Sequence, residues 1–170
     1  VLKAIRGRRS IRRFKTDQIN DEELKTILEA GTWAATGKGK QDPLIVAVQN
    51  KETCDILRKM NAEIMGTEAD PYYGAPTIII VFASADWGNN VKDGSLVLGN
   101  MMLAAHSIGL ASCWINREDK MFETEEGKKL LKEWGQQDNV IGIGALSVGY
   151  ASSYPHTVKP RKDDYFKIIK

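Results

Sequence analysis

Apolar and polar positions follow one another along the chain in blocks that predict four strands separated by helices. Runs rich in β-branched and apolar residues predict strands at Leu44–Val48, Thr77–Phe82, Ala111–Ile115 and Val140–Val148. The run Thr77–Phe82 contains no charged residue, which is typical of a strand buried on both faces. We therefore expect a sheet whose centre lies inside the protein.

The helix signals lie between these strands. Asn20 can cap a helix whose third residue, Glu23, reaches back to the cap, and apolar residues follow it at helical spacing. Further helices are predicted at about Thr53–Met65, Leu96–Ile108 and Thr124–Trp134. The helix at Leu96–Ile108 has almost no polar face, so we expect it to be buried at the centre of the protein.

The order of these elements predicts the fold class. Helices and strands alternate without the regular rhythm of a doubly wound sheet, which favours an α+β protein with a central sheet flanked by helices. A glycine-rich loop is predicted between Gly31 and Pro43, and the polar tail from Tyr154 onward is expected to form an extended arm. We interpret residues 1–170 as a single domain.

Composition and charge exclude several classes of protein. The formal net charge of the 170 residues is only +2, so a basic function must be local, and the two histidines give no case for a metal-rich protein. Cys54 and Cys113 are far apart and indicate neither a disulfide framework nor a zinc site. The cysteine pattern fits a reducing cytoplasm, and because no apolar run is long enough to span a membrane, we expect a soluble protein.

Two local clusters of cations are the first candidates for function. The first fifteen residues contain no acidic residue, and their basic side chains are Lys3, Arg6, Arg8, Arg9, Arg12, Arg13 and Lys15. Guanidinium groups match phosphate oxygens, and Ser10 adds a hydroxyl donor within the run. The tail carries Lys159 and Arg161, so the two ends could share one anion. A solvated arm, a frayed terminus or a nucleic-acid contact remain open alternatives for these clusters.

Five motifs in register resemble those of the FMN-dependent nitroreductase family. The run from Arg8 to Phe14 is similar to the family's R-R-S-x-R-x-F, and the loop from Ala34 to Gln41 resembles A-P-S-x-x-N-x-Q. The other three motifs are Gly74-Ala75-Pro76, Leu103-Ala104-Ala105-His106-Ser107-Ile108-Gly109-Leu110 and Ser112-Cys113-Trp114-Ile115. The resemblance covers nearly the whole chain.

The resemblance implies a homodimer with swapped terminal arms and with FMN at the subunit interface. The N-terminal residues would hold the phosphate and ribityl oxygens, Arg12 would reach the pyrimidine edge of the ring, and the 35–39 loop would come from the partner subunit. We add Asn61 as a possible amide for the same edge. The implied cofactor-binding residues are Arg8, Arg9, Ser10, Arg12, Ala35, Thr36, Gly37, Gly39, Asn61, Cys113, Trp114, Ile115, Asn116, Lys159 and Arg161.

The residues agree chemically with these roles. A guanidinium such as Arg12 would stabilise the negative charge that reduced flavin carries near its pyrimidine nitrogen. Because the flavin carries the chemistry, no catalytic acid or nucleophile is assigned, and Cys113 is interpreted as inert packing. The chain departs from the family at Gly39, where many relatives have asparagine, and at Ala35, where they have proline. Little sequence lies between Ala83 and Leu96 to cover the flavin, so we expect an open face.

The leading functional hypothesis is therefore an oxidoreductase that uses FMN, with NADH or NADPH as co-substrate. It would reduce nitroaromatics, quinones or similar electron-poor acceptors by a ping-pong mechanism. One alternative keeps the flavin without this turnover, as an FMN-binding redox partner or as a dehalogenase-like or flavin-consuming branch. A remote alternative is a basic nucleic-acid-binding domain, against which the scarcity of aromatic residues in the N-terminal run argues.

Overall fold

A computed structural model describes residues 1–136, 139–155 and 157–170 and shows one sheet between two layers of helices. The strands are β1 (Leu44–Val48), β2 (Thr77–Ser84), β3 (Ala111–Ile115) and β4 (Val140–Gly149). The helices are α1 (Leu2–Gly7), α2 (Asp21–Thr32), α3 (Lys51–Met65), α4 (Asn90–Ser107), α5 (Glu118–Met121) and α6 (Glu125–Glu133). A short 3-10 turn spans Gly37–Gly39. The α+β class predicted from the sequence is confirmed.

The four strands form an antiparallel sheet in the order β1-β2-β4-β3. At one end of the sheet Leu44 pairs with Phe82, and Phe82 pairs with Gly142. Near the other end Ser112 pairs with Val148. The register between β2 and β4 shifts at Val81–Phe82, where a bulge leaves one additional residue on β4.

The central strand β2 separates two hydrophobic cores, as the sequence predicts. Ile78, Ile80 and Phe82 pack on one face of the sheet with residues of α3, α5 and α6. Ile79 and Val81 point to the opposite face and pack with residues of α2 and α4. Because successive side chains of a strand point to opposite faces, an apolar strand such as β2 is stable only with a core on each side.

Local signals explain where several helices begin and end. The capping box of α2 is confirmed, because Asn20 Oδ1 accepts from the amide of Glu23 and Glu23 Oε2 accepts from the amide of Asn20, both at 2.9 Å. Asn50 caps α3, and its Oδ1 accepts from the amide of Thr53 at 2.9 Å. Helix α4 begins six residues before the predicted Leu96, because its polar first turn lacks the apolar spacing used to locate helices.

The two shortest helices, α1 and α5, were not predicted from the sequence, and they are six and four residues long. None of the helices in the described part of the chain is long and apolar enough to cross a bilayer. The tail beyond Tyr154 has no helix or strand over the residues that the structure describes, and those residues are exposed. This agrees with the predicted extended arm.

Candidate functional site

The structure brings the two cationic ends of the chain to one cavity. A cavity of about 330 Å³ is lined by Arg8, Arg9, Ser10, Arg12, Pro155, Thr157, Val158, Lys159 and Arg161. This set contains all six cofactor-binding residues predicted at the two ends of the chain, four from the N-terminal run and two from the tail. We call it the basic cavity. Its lining by five cations and a serine favours a ligand with several anionic oxygens.

Two guanidinium nitrogens at the basic cavity are buried without a hydrogen-bond partner among the described residues. They are Nη1 of Arg8 and Nε of Arg9. The Nη1 of Arg9 donates to the carbonyl groups of Arg6 and Arg8, at 2.7 Å in both cases, which fixes its side chain. A buried cationic donor without an acceptor is costly, so the arrangement suits an oxyanion such as a phosphate monoester.

Main-chain contacts hold the N-terminal run against the sheet. Ser10 forms a parallel bridge with Ser112 at the outer edge of β3, and the amide of Ile11 donates to the carbonyl of Ser112 at 3.0 Å. The Ile11 side chain is buried beside this edge, whereas Arg12 is exposed. Farther along, the amide of Lys15 donates to the carbonyl of Tyr150 at 2.8 Å. The backbone that carries the basic side chains of the N-terminal run is therefore fixed along the edge of the sheet.

Strand β3 leads from the basic cavity toward Trp114 and Asn116. The Cys113 side chain is buried, and burial raises the pKa of its thiol, although Arg12, Ser10 and Arg8 oppose the rise. This agrees with the interpretation of Cys113 as packing, since a thiol rather than a thiolate is favoured. Beyond it, the indole Nε1 of Trp114 donates to Oδ1 of Asn116 at 2.8 Å. Asn116 is exposed, so it is accessible to a ligand at the end of β3.

Asn61 lies beneath the end of β3 and has no exposed surface. Its Nδ2 donates to the carbonyl of Asn116 at 3.0 Å and to the hydroxyl of Tyr72 at 3.2 Å, and its Oδ1 accepts from Nε of Arg117 at 2.7 Å. The assignment of Asn61 to a direct flavin contact is therefore not supported by its surroundings. Its place on the buried side of α3 leaves the amide facing the protein interior.

The glycine-rich loop is fixed by a buried carboxylate that the sequence analysis did not identify. The amide of Gly37 donates to both carboxylate oxygens of Asp93, at 3.0 and 3.1 Å, and Nε1 of Trp87 donates to Asp93 Oδ2 at 2.7 Å. The ammonium group of Lys40 lies over the Trp87 ring at 4.3 Å. Trp87 thus packs against the loop. The sequence shows Asp93 only as an acidic residue near the start of a helix, and this pattern does not indicate a contact with the loop.

The loop residues Ala35, Thr36, Gly37 and Gly39 lie apart from the basic cavity within one chain. The loop leads into β1 at Leu44, whereas the cavity adjoins Ser112 on β3, the opposite edge strand. Three strand spacings separate these edges by roughly 14 Å. Along the sheet, Leu44 is level with Phe82 of β2 and Ser112 is level with Thr77, and these two β2 residues are roughly 17 Å apart. The structure therefore does not bring the two predicted halves of the site together in a single chain.

A second buried carboxyl group, Glu118, was also missed. Its side chain is 1% exposed, its Oε1 accepts from the Tyr72 hydroxyl at 3.0 Å, and its Oε2 has no partner among the described residues. Burial raises the pKa of Glu118 from 4.5 to about 7. Glu118 lies in the charged sequence Arg117–Lys120, which resembles a solvated surface segment, so its burial could not be recognised from the sequence.

The fold is α+β, and the basic cavity combines cationic side chains from both ends of the chain. Residues 5–150 match the model of the nitroreductase family, and the chain belongs to this family. One relative is a protein of Methanothermobacter thermautotrophicus that is named as a candidate NADH dehydrogenase/NAD(P)H nitroreductase. It is 30% identical over an alignment of 168 residues, which covers 92% of this chain and 80% of that protein.

Solved structures show the same similarity in three dimensions. A nitroreductase from Bacteroides fragilis, crystallised with bound FMN, is 29% identical and has a TM-score of 0.90, covering 99% of this chain and 98% of that one. A nitroreductase from Desulfitobacterium hafniense, also with bound FMN, is 25% identical and has a TM-score of 0.87, covering 99% of this chain and 97% of that one. The predicted family is confirmed.

Proposed function

We propose that this protein is an FMN-dependent oxidoreductase that uses NADH or NADPH to reduce nitroaromatics, quinones or similar electron-poor acceptors by a ping-pong mechanism. The observation that carries the proposal is the buried Nη1 of Arg8 in the basic cavity, which has no hydrogen-bond partner in the described part of the chain. FMN ends in a phosphate monoester, which would supply the oxygen atoms that this donor and its neighbours lack. The FMN-bound relatives support the same cofactor.

Each part of the chain would have a defined role in holding the cofactor. Arg8, Arg9 and Ser10, together with Lys159 and Arg161 of the tail, would bind the phosphate and ribityl oxygens. Arg12 would place its positive charge near the pyrimidine edge of the ring. Bound FMN would accept a hydride from NAD(P)H and pass electrons to the acceptor, so the protein itself needs no acid or nucleophile.

The strand end Trp114–Asn116 would lie along the ring. Ser112 adjoins the basic cavity, and the four residues from there to Asn116 extend roughly 13 Å along β3. The ring would then lie beyond the phosphate in the direction in which β3 runs. Cys113 and Ile115 are buried on the inner side of this strand, so they would support the ring site from behind rather than carry chemistry.

The separation of the loop and the basic cavity supports a homodimer. If the 35–39 loop lines the flavin, a second copy of the chain must supply it, since the loop and cavity lie at opposite corners of one sheet. The tail has exposed apolar residues that a partner subunit could cover, namely Tyr165, Phe166, Ile168 and Ile169. Two free, buried cysteines fit a reducing compartment, and we place the protein in the cytoplasm.

Cofactor binding tests the proposal directly. The purified protein is expected to be yellow and to release FMN on denaturation, and the apoprotein should bind added FMN. Arg8→Ala and Arg161→Ala should each weaken FMN binding about tenfold or more, because each removes a charge-assisted hydrogen-bond donor. Lys162→Ala is the matched control, since Lys162 is a neighbouring cation that does not line the basic cavity.

The same preparation tests the reaction. Anaerobic mixing with NADH and then with NADPH should bleach the flavin absorbance with at least one donor, and adding a quinone or nitroaromatic should restore it. A protein that binds no FMN would refute the proposal. A protein that binds FMN but is reduced by neither donor would instead be a flavoprotein without this turnover.

A further inference from the structure

Both polar groups of the Asn61 side chain form hydrogen bonds. The Oδ1 of Asn61 accepts from Arg117 at 2.7 Å, and the Nδ2 of Asn61 donates to Tyr72 and to the main-chain carbonyl of Asn116. An amide that accepts from a guanidinium group has its N–H groups polarised, which strengthens the bonds that it donates. The hydrogen bond from the buried Asn61 to the Asn116 carbonyl is therefore reinforced by a cation.

The residue after Asn116 has an unfavourable backbone conformation. Arg117 has a φ of 87°, in the region that favours glycine, and it immediately precedes α5. Its side chain returns to bind Asn61, so the strained residue and the buried amide restrain the same turn. A backbone in such a conformation must be stabilised by surrounding contacts. Here the stabilising contact is the hydrogen bond between Arg117 and Asn61, which lies at the end of β3.

The side chain of Asn116 is restrained as well. Its Oδ1 accepts from Nε1 of Trp114 at 2.8 Å. An indole nitrogen can only donate, so the atom facing it must be the amide oxygen, and the NH₂ group of Asn116 is left for other partners. Asn116 is thus fixed at its carbonyl by Asn61 and at its side chain by Trp114, while it remains exposed.

We propose that Asn61 and Arg117 are positioning residues, which fix the Asn116 carbonyl and thereby set the orientation of the strand end Trp114–Asn116 against the flavin ring. This inference rests on the proposed FMN-binding function. It gives Asn61 an indirect role in place of the direct contact expected from the sequence. A pre-organised strand end lowers the cost of ordering these residues when the cofactor binds.

Two variants test the positioning role. Asn61→Leu is neutral and similar in size, and it removes the donor to Asn116 and the acceptor for Arg117. Arg117→Gly removes the guanidinium support but relieves the left-handed backbone, since glycine adopts a positive φ without strain. Asn50→Ala is the matched control, because it removes the cap of the same helix, α3, without touching Asn116.

Three quantities are measured on each protein: the unfolding temperature of the apoprotein, the Kd for FMN from fluorescence quenching, and the midpoint potential of the bound flavin. Asn61→Leu and Arg117→Gly should each raise the Kd about tenfold, the loss expected for one strong hydrogen bond, and shift the potential. Arg117→Gly should lower the unfolding temperature less than Asn61→Leu does, because relief of the positive φ offsets part of the lost hydrogen bond. Asn50→Ala should lower the unfolding temperature and leave the Kd and potential unchanged.

The inference is overturned if wild-type protein binds FMN and Arg117→Gly retains both its Kd and its potential. It is also overturned if Asn50→Ala changes Kd and potential as much as Asn61→Leu, because helix stability would then explain the effect. Should Asn61→Leu fail to fold, Arg117→Gly alone decides. Failure of the wild-type protein to bind FMN would instead refute the proposed function, and this inference with it.

Discussion

Replacing Glu118 by glutamine should change the way in which the stability of this protein depends on pH. The wild-type carboxyl group is buried, it has one hydrogen-bond partner, Tyr72, and its second oxygen has none among the described residues. Glutamine has nearly the same shape and keeps an oxygen that can accept from Tyr72, but it cannot ionise. The variant therefore removes the ionisation of the residue 118 side chain while it keeps the shape of the side chain and its hydrogen bond to Tyr72.

The size of the effect follows from the pKa of Glu118. Burial raises the pKa from 4.5 to about 7, and a tenfold change in proton affinity corresponds to about 1.4 kcal/mol, so the full difference is about 3 kcal/mol. Because the folded-state pKa is the higher one, the folded state binds the proton more tightly than the unfolded state. The stabilisation is complete below about pH 4.5 and is lost as the pH rises through 7.

Urea denaturation followed by tryptophan fluorescence can measure this change. The free energy of unfolding of Glu118→Gln minus that of wild type should be about 3 kcal/mol more positive at pH 8 than at pH 4.5. Taking the difference between two proteins at each pH cancels the other titrating groups. Glu63→Gln is the control, because Glu63 is an exposed carboxylate whose side chain is 65% accessible. A difference for Glu118→Gln that is the same at both pH values would refute the reasoning.

Three further outcomes are expected. Asp93→Asn should lower the free energy of unfolding in urea by about 2 kcal/mol, because the amide NH₂ would face a donor such as the Gly37 amide, and an unchanged value would show that the carboxylate does not hold the loop. Gly39→Asn should lower the free energy of unfolding less than Gly39→Ala in the same assay, since asparagine tolerates the positive φ of 64° better than alanine and no atom lies within 4 Å of an added Cβ, and it should also bind FMN more tightly than Gly39→Ala. Cys113 should not react with a thiol reagent at pH 8 until the protein is unfolded, and rapid reaction of the native protein would contradict its burial.

Features that depend on neighbouring residues in the chain were predictable from the sequence. The capping box of α2, the two-sided burial of β2 and the end of α4 at Ser107 all follow from patterns within a few residues. The charge pattern suggested that Arg8 and Arg161 could share one anion, and the family resemblance turned this into an expectation, which agrees with the cavity that both residues line. Each of these signals is visible without knowing which elements lie together in space.

Features that depend on packing between distant residues were not predictable. Asn61 was assigned to the cofactor because an amide suits that role, but only the packing of α3 beneath the end of β3 shows which way the side chain points. Asp93 and Glu118 lie in polar or charged stretches, and a buried carboxylate there has the same local pattern as a solvated one. Their partners, the Gly37 amide and the Tyr72 hydroxyl, are far away in the sequence.

The basic cavity joins residues from the two ends of the chain, and this has a consequence for biosynthesis. During translation, Arg8 and Arg12 are synthesised before the strands of the sheet, whereas Lys159 and Arg161 are synthesised after all four strands. A nascent chain would therefore have its hydrophobic core before it had all the residues that line the basic cavity. A phosphate-bearing ligand could therefore bind only after β4 had been made, and it would connect a segment synthesised before the sheet to one synthesised after it.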